Sequence, residues 1–187
     1  AFLIGSAVVV RFLAAPGHLG SLAERAGLNP ADFLHRFDEL AVILLCAAAL
    51  FAVGLRDDKH ALGPFVKLIV QFAVAGVAAY FADVRIEFFI QSRIVTAALS
   101  AFWIVVIVNA FNFLDNMDGA SAGIAVIAGA VLFTAAAFSG QVLVGGLALV
   151  FIGTLLGFLV FNFPPASIFM GDAGSLVVGF FVALLTL

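Results

Sequence analysis

The chain has 187 residues, of which 65% are hydrophobic and 10% charged, and its formal net charge is -3. Soluble domains are about half apolar and about a quarter charged, so this composition excludes them and indicates an integral membrane protein in contact with the lipid bilayer. The small negative charge argues against nucleic acid as a partner. The single cysteine, Cys46, excludes a disulfide framework and a cysteine zinc site.

Apolar runs follow one another along the whole sequence. Seven are found, at 1–15, 40–55, 65–82, 94–114, 120–138, 142–163 and 174–187. A helix needs about 20 residues to cross the hydrocarbon core, with about 17 as a lower limit, and the complete runs meet or nearly meet this length. We therefore predict an all-α, polytopic transmembrane bundle that forms a single domain over 1–187. Since both ends lie inside apolar runs, we expect the domain to be truncated at both.

The loops between these runs should alternate between the two faces of the membrane. One face then receives 16–39, 83–93 and 139–141, and the other receives 56–64, the region around 115–119, and 164–173. The second set contains RDDKH, DNMDG and PPASIFMGDAGS. Three Asp-bearing loops that are far apart in sequence are thus predicted to meet on one face. The Lys and Arg residues are nearly balanced between the faces, so charge bias does not orient the bundle.

The first acidic loop lies in GLRDDKHALGPFVKLIVQ, which places Asp57 and Asp58 directly after an apolar helix. Adjacent carboxylates repel each other, and a nearby cation, a metal or a phosphate-bound Mg²⁺ makes the pair tolerable. Lys67 lies near the start of the next helix, with Gln71 one turn later on the same face. A solvated turn with a snorkelling lysine is the competing interpretation of this loop taken alone.

The second acidic loop lies in NAFNFLDNMDG. Asn109, Asn112 and Asn116 fall at i, i+3 and i+7, so they form a polar stripe if the helix continues, and Asp115 and Asp118 extend it. Polar groups at membrane depth usually face a cavity or a partner. Carboxylate and amide oxygens are hard ligands that suit Mg²⁺. Amide bonding between helices together with a capping Asp would explain only one or two of these residues.

The third acidic loop lies in FNFPPASIFMGDAGS, where Pro164 and Pro165 end the incoming helix. Asp172 precedes the next helix, either as an N-cap or beside a phosphate site at the helix N-terminus. Asn162 and Phe169 flank the loop. The aromatic ring would either stack on a base or lie in the interfacial belt.

Together the three loops indicate Mg²⁺-assisted transfer of a phosphate group. The sequence has no Ser–His–Asp or Cys–His set and no phosphate-binding loop of the GxxxxGK[ST] type. A transporter or channel with an acidic cytoplasmic vestibule is the main alternative. Such proteins usually place their charges near the bilayer midplane, whereas these charges cluster at helix ends, which favours chemistry on a lipid head group. A non-catalytic scaffold leaves the three motifs unexplained.

In order and spacing, these motifs resemble the polyprenyl-phosphate N-acetylhexosamine-1-phosphate transferases of glycosyltransferase family 4, over most of 40–187. The resemblance implies an enzyme that transfers N-acetylhexosamine 1-phosphate from a UDP-N-acetylhexosamine to a polyprenyl (undecaprenyl) phosphate. The products would be UMP and a polyprenyl-diphospho-sugar for cell-wall or surface polysaccharide synthesis. The resemblance also implies Mg²⁺, with Mn²⁺ as an alternative, a cell-membrane location with a cytoplasmic active face, and a homodimer as a candidate assembly. The pattern favours the N-acetylglucosamine branch over the pentapeptide branch.

The resemblance also implies roles for single residues. Asp57 matches an Asp that deprotonates the lipid phosphate or holds it near the metal, Asp58 is its catalytic neighbour, and Lys67 matches a phosphate-contacting lysine. The remaining site residues are Asp115, catalytic at the floor of the cleft, the metal ligands Asn112 and Asp172, and the substrate-binding Asn109, Asn116, Met117, Asp118, Asn162 and Phe169. Of these, Asp118, Asn162 and Phe169 match positions around the uridine.

Two mechanisms are compatible with the resemblance. The lipid phosphate attacks the β-phosphorus directly, or the reaction passes through an aspartyl phosphate.

The sequence also departs from the family pattern. Asn116 stands where the family usually has Gly, and Ala120 stands where it usually has Leu. The family's His-rich cytoplasmic motif does not occur within the 187 residues.

Overall fold

The computed structural model describes residues 37–82 and 92–187, and within these ranges the protein is helical and contains no strand. Six helices are found there: α1 Phe37–Lys59, α2 Pro64–Phe81, α3 Arg93–Leu114, α4 Ala120–Phe138, α5 Val142–Asn162 and α6 Gly171–Leu185. Each corresponds to one predicted apolar run. The remaining predicted run, 1–15, lies outside the described residues. The all-α prediction is confirmed.

Five of these helices, α1 to α5, are long and apolar enough to cross a membrane, while α6 is an apolar helix of 15 residues. Their outer surfaces carry large apolar side chains such as Phe65 (78% exposed), Ile94 (75%) and Val160 (74%). A soluble monomer rarely exposes continuous apolar surface of this kind, and lipid contact accounts for it. The protein is therefore a multi-pass membrane protein, as its composition predicts.

Helix α6 lies at the centre of the described bundle, where it packs against α1, α3 and α4. Nine of its 15 residues are buried, and Leu176 and Phe180 are fully enclosed. Gly179 allows α3 to come close, because a Cβ atom at this position would lie 2.7 Å from the Cα atom of Val108. Close backbone approach at small residues is how membrane helices gain packing energy.

Helices α4 and α5 form a closely packed antiparallel pair beside the group formed by α1, α2, α3 and α6. Gly129 of α4 lies against Ile152 of α5, whose Cγ1 atom would be 3.0 Å from an added Cβ. Helix α4 also contacts α6 and α3. The pair is thereby joined to the central helix mainly through α4.

The three acidic segments lie together at one end of the bundle, as loop parity predicts. Asp58 at the end of α1 contacts the beginning of α6, and Asp118 in the α3–α4 turn contacts Ala166 in the α5–α6 loop. One boundary differs from the prediction, because α1 continues through Lys59 and includes Asp57 and Asp58. The polar residues extend the last turn of the helix, so both carboxylates are placed by a helix and not by a loop.

Candidate active site

A three-membered ionic contact joins α1, α2 and α6. The Lys67 ammonium donates to Asp57 Oδ2 at 2.8 Å and also to Asp172 Oδ2. The other oxygen of Asp57 accepts the backbone N–H of Leu62 at 2.5 Å, which closes the α1–α2 turn. The side chains of Asp57, Lys67 and Asp172 are 15%, 17% and 25% exposed. Partial burial weakens solvent screening of these charges, so the contact holds three helix ends together.

Helix α3 joins this network through Asn112. Its Nδ2 donates to Asp172 Oδ1 at 2.8 Å and to Ser175 Oγ at 2.9 Å. Asp172 is therefore held by a lysine on one oxygen and by an amide on the other. The N-cap interpretation of Asp172 is wrong, because α6 begins at Gly171 and Asp172 lies inside its first turn.

Asp58 binds a different partner from Asp57, which precedes it in the sequence. Its Oδ1 accepts the backbone N–H of Asp172 at 2.8 Å, and its Oδ2 accepts that of Ala173 at 3.1 Å. Successive residues of a helix are rotated by about 100° around its axis, so two adjacent carboxylates can face different helices. Asp57 thus faces α2 and Asp58 faces the N-terminus of α6.

Asp115 lies at the end of α3, half-buried beneath this cluster. The pKa of its carboxyl is raised to about 6, first by burial and then by the negative charges of Asp172 and Asp58, while a hydrogen bond from the backbone of Gly171 opposes the rise. Burial and nearby like charge both disfavour an ionised carboxylate. The raised pKa of Asp115 therefore reflects mainly its burial, together with two neighbouring negative charges.

The acidic side chains at this end of the bundle can be compared with the ligands that Mg²⁺ usually binds in proteins. Four carboxylates, those of Asp57, Asp58, Asp115 and Asp172, lie at this end of the bundle, and the ammonium of Lys67 contacts two of them, Asp57 and Asp172. Among the described residues no three His, Cys, Asp or Glu side chains form a ready metal cage. Mg²⁺ usually binds one or two carboxylates together with substrate phosphates and water. The donor set fits a metal held jointly by protein and phosphate.

One turn further from the helix ends, α2 and α3 are joined by a pair of amides. Asn109 Nδ2 donates to Gln71 Oε1 at 2.6 Å and to the carbonyl of Val105 at 2.8 Å. Gln71 is buried, and its Nε2 has no hydrogen-bond partner. The predicted polar stripe is therefore correct for Asn109 and Asn112. It is wrong for Asn116, because α3 ends at Leu114.

A second polar group fastens the α3–α4 turn to the α5–α6 loop. Asn162 is only 4% exposed; its Oδ1 accepts the N–H of Gly119 at 3.0 Å and its Nδ2 donates to the carbonyl of Ile168 at 2.9 Å. Asp118 Oδ2 accepts the N–H of Ala166 at 2.9 Å. Gly119 has a φ of +72°, which glycine adopts without a steric penalty. These bonds fix the geometry of both loops.

Two predicted site residues present apolar side chains to the surface, since Phe169 is 73% and Met117 61% exposed. Asn116 has a local partner: its Nδ2 donates to the carbonyl of Phe113 at 2.6 Å and closes the end of α3. Sequence analysis missed the buried Ser175. It lies three residues after Asp172, and this helical spacing was the available signal.

Comparison with known proteins agrees with this arrangement. The sequence profile of glycosyl transferase family 4 matches residues 40–187. The chain is 36% identical over 165 residues to the probable undecaprenyl-phosphate N-acetylglucosaminyl 1-phosphate transferase of Bacillus subtilis. The aligned region covers 84% of this chain and 46% of that protein. It is 34% identical over 161 residues to the phospho-N-acetylmuramoyl-pentapeptide-transferase of Clostridioides difficile, covering 75% of this chain and 50% of that protein.

The similarity extends to other proteins with the second name. The phospho-N-acetylmuramoyl-pentapeptide-transferase of Limosilactobacillus fermentum is 46% identical over 86 residues, which cover 46% of this chain and 27% of that protein. The chain spans about half the length of the first curated relatives it matches. Because the family profile covers residues 40–187, which include most of α1, the whole of α2 to α6 and the acidic network, the chain belongs to glycosyl transferase family 4.

Proposed function

We propose that the protein transfers N-acetylhexosamine 1-phosphate from a UDP-N-acetylhexosamine to a polyprenyl phosphate, with Mg²⁺ as cofactor. The observation that carries this proposal is the ammonium of Lys67 held between Asp57 and Asp172 at the ends of three helices. An ammonium group between two carboxylates, at the ends of membrane-spanning helices, can bind anionic phosphates that arrive together with a divalent metal. The names of the relatives supply the sugar and lipid classes.

In the proposed reaction, a phosphate oxygen of the lipid attacks the β-phosphorus of the UDP-sugar. A new P–O bond forms, the bond between the two phosphates of the nucleotide breaks, and UMP leaves with the electron pair. Asp57 accepts the proton of the lipid phosphate or holds that phosphate near the metal, while Lys67 donates to a phosphate oxygen. Asp172 and Asn112 would hold Mg²⁺, which neutralises negative charge on the diphosphate when it is bound.

The nucleotide part of the donor is assigned to the second polar group. Phe169 offers an exposed ring on which uracil can stack, since aromatic side chains bind the faces of bases. Asp118 and Asn162 lie beside it, in bonds that connect the two loops. UDP-sugars are made in the cytoplasm, so we place this end of the bundle on the cytoplasmic side of the cell membrane.

The proposal is tested by following UMP release from membranes that contain the full-length protein, undecaprenyl phosphate and Mg²⁺. UDP-N-acetylglucosamine and UDP-N-acetylmuramoyl-pentapeptide are offered separately. We expect release with at least one of them, and Asp172→Asn should abolish it while the protein remains folded. The matched control is Asp38→Asn, which changes an exposed carboxylate in the first turn of α1.

Two other results would reject parts of the proposal. No UMP release with any UDP-hexosamine would reject the transferase function, and uptake of UDP-sugar without UMP release would favour the transporter alternative. Recovery of phosphorylated Asp57 after a single turnover would reject direct attack in favour of an aspartyl-phosphate intermediate.

A further inference from the structure

The N-terminus of α6 receives its capping carboxylate from another helix. The N–H groups in the first turn of a helix have no partner within that helix and are usually capped by the residue just before it. That residue is Met170, and its side chain makes no capping bond. The N–H groups of Asp172 and Ala173 donate instead to the two oxygens of Asp58, at 2.8 and 3.1 Å.

The chemistry of this contact suits a cap. A carboxylate at a helix N-terminus meets the positive end of the helix dipole, and its bonds to backbone N–H groups are charge-assisted. Both oxygens of Asp58 are engaged, one by each N–H. Asp57, by contrast, gives one oxygen to the ammonium of Lys67. The two adjacent carboxylates therefore have different surroundings, although the sequence presents them as a pair.

Two glycines provide the space for this cap. A Cβ atom on Gly54, one turn before Asp58, would lie 2.5 Å from the carbonyl oxygen of Asp172 and 2.6 Å from the Cα atom of Ala173. A Cβ atom on Gly171 would lie 2.9 Å from Asp58 Oδ2, and Gly171 has a φ of +64°. Any larger residue at either position would separate the end of α1 from the start of α6.

We propose that Asp58 is a positioning residue, which caps α6 from α1 and thereby fixes the location of Asp172. Asp172 is then held on three sides, by Asp58 at its backbone and by Lys67 and Asn112 at its side chain. In this assignment Asp58 acts through Asp172 and does not touch substrate. The consequence for catalysis rests on the proposed function, whereas the cap itself does not.

The cap is tested directly by hydrogen–deuterium exchange of a peptide covering residues 167–176, with the protein in nanodiscs. Asp58→Ala should speed exchange of the Asp172 and Ala173 amides by at least about tenfold, because capped N–H groups exchange only after their bond opens. Asp57→Ala removes the neighbouring carboxylate and should leave these two amides protected. Unchanged exchange in Asp58→Ala would overturn the proposal whatever the activity of the protein.

Activity then separates a positioning role from a catalytic one. Asparagine is nearly as good a capping residue as aspartate, but it keeps only one acceptor oxygen, accepts no proton and carries no charge. We expect Asp58→Ala to lower kcat by about 100-fold and Asp58→Asn to recover at least about tenfold of that loss, with exchange protection returning at one of the two amides. If Asp58→Asn is as inactive as Asp58→Ala while one amide is protected again, Asp58 acts on the substrate or the metal and the proposal is wrong.

Discussion

The two polar groups at the acidic end of the bundle are built differently. In the network around Lys67, charged side chains contact one another across α1, α2 and α6, and they are between 15% and 25% exposed. In the group around Asn162, side chains bind backbone atoms of two loops, beside a Phe169 ring that is 73% exposed. Rigid helices place the charges and loops place the ring. We therefore expect changes in the first group to alter the chemical step and changes in the second to alter nucleotide binding.

The largest effect is expected from Lys67→Met, which keeps the length of the side chain and removes its charge. Asp57 and Asp172 would be left facing each other without a cation, and removing one member of a partly buried ionic group is strongly unfavourable. We expect kcat to fall by about 1,000-fold, on the scale of other electrostatic groups in active sites. Lys59→Met is the control, because Lys59 is exposed at the end of α1. A loss below tenfold would place the transferred phosphate elsewhere.

An intermediate effect is expected from Phe169→Ala. A stacked base contributes about 1–3 kcal/mol, so the KM for the UDP-sugar should rise by at least about fivefold while kcat changes little. Phe169→Trp should preserve binding. Phe138→Ala removes a ring that is 95% exposed at the far end of α4 and should change neither constant. If Phe169→Ala lowered kcat and left KM unchanged, the group around Asn162 would affect the chemical step and not nucleotide binding, against the proposed difference from the network around Lys67.

A smaller effect concerns Asp115, whose pKa is raised to about 6 from an ordinary 3.8. A raised pKa in the folded state means that this group favours folding below pH 3.8 and loses that contribution as the pH rises through 6. The melting temperature should therefore fall between pH 4 and pH 7 more in the wild type than in Asp115→Asn. Since Asp115 is only half-buried, we expect a difference of about 1–2 °C in thermal unfolding scans. An equal slope in both proteins would contradict the raised pKa of this carboxyl.

The smallest effect is expected from Asn116→Gly, which introduces the residue that the family usually has. The change removes one hydrogen bond to the carbonyl of Phe113 on an exposed side chain. UMP release should stay within about twofold of the wild type, because net hydrogen-bond contributions at exposed positions are small. A large loss would show that Asn116 belongs to one of the two polar groups after all.

The helices could be predicted from sequence because runs of lipid-compatible residues have few alternative interpretations. Their ends could not be predicted as well. The apolar run of α1 stops at residue 55, whereas the helix continues to Lys59, since hydropathy measures apolarity and not helicity. At α3 the apolar run and the helix end together at Leu114, so the condition for adding Asn116 to the polar stripe is not met.

The candidate site was predictable in composition and in its location at one end of the bundle, through loop parity and the family resemblance. Its internal pairing was not. Nothing in the local sequence shows that Asp57 contacts Lys67 while Asp58 contacts α6, or that Asn162 uses both ends of its amide to join two loops. These partners lie up to 115 residues apart, and only the packed helices bring them together.

Because Asp57 contacts α2 and Asp58 contacts α6, both contacts form only at one rotation of α1 about its own axis. Inserting one residue near the middle of this helix would turn its end by about 100° and shift it by about 1.5 Å relative to the unchanged part. Both carboxylates would then leave their partners at once, and Gly54 would no longer face α6. The single turn that ends at Lys59 thus fixes how the whole of α1 must be rotated within the membrane, although most of its length contacts only apolar neighbours and lipid.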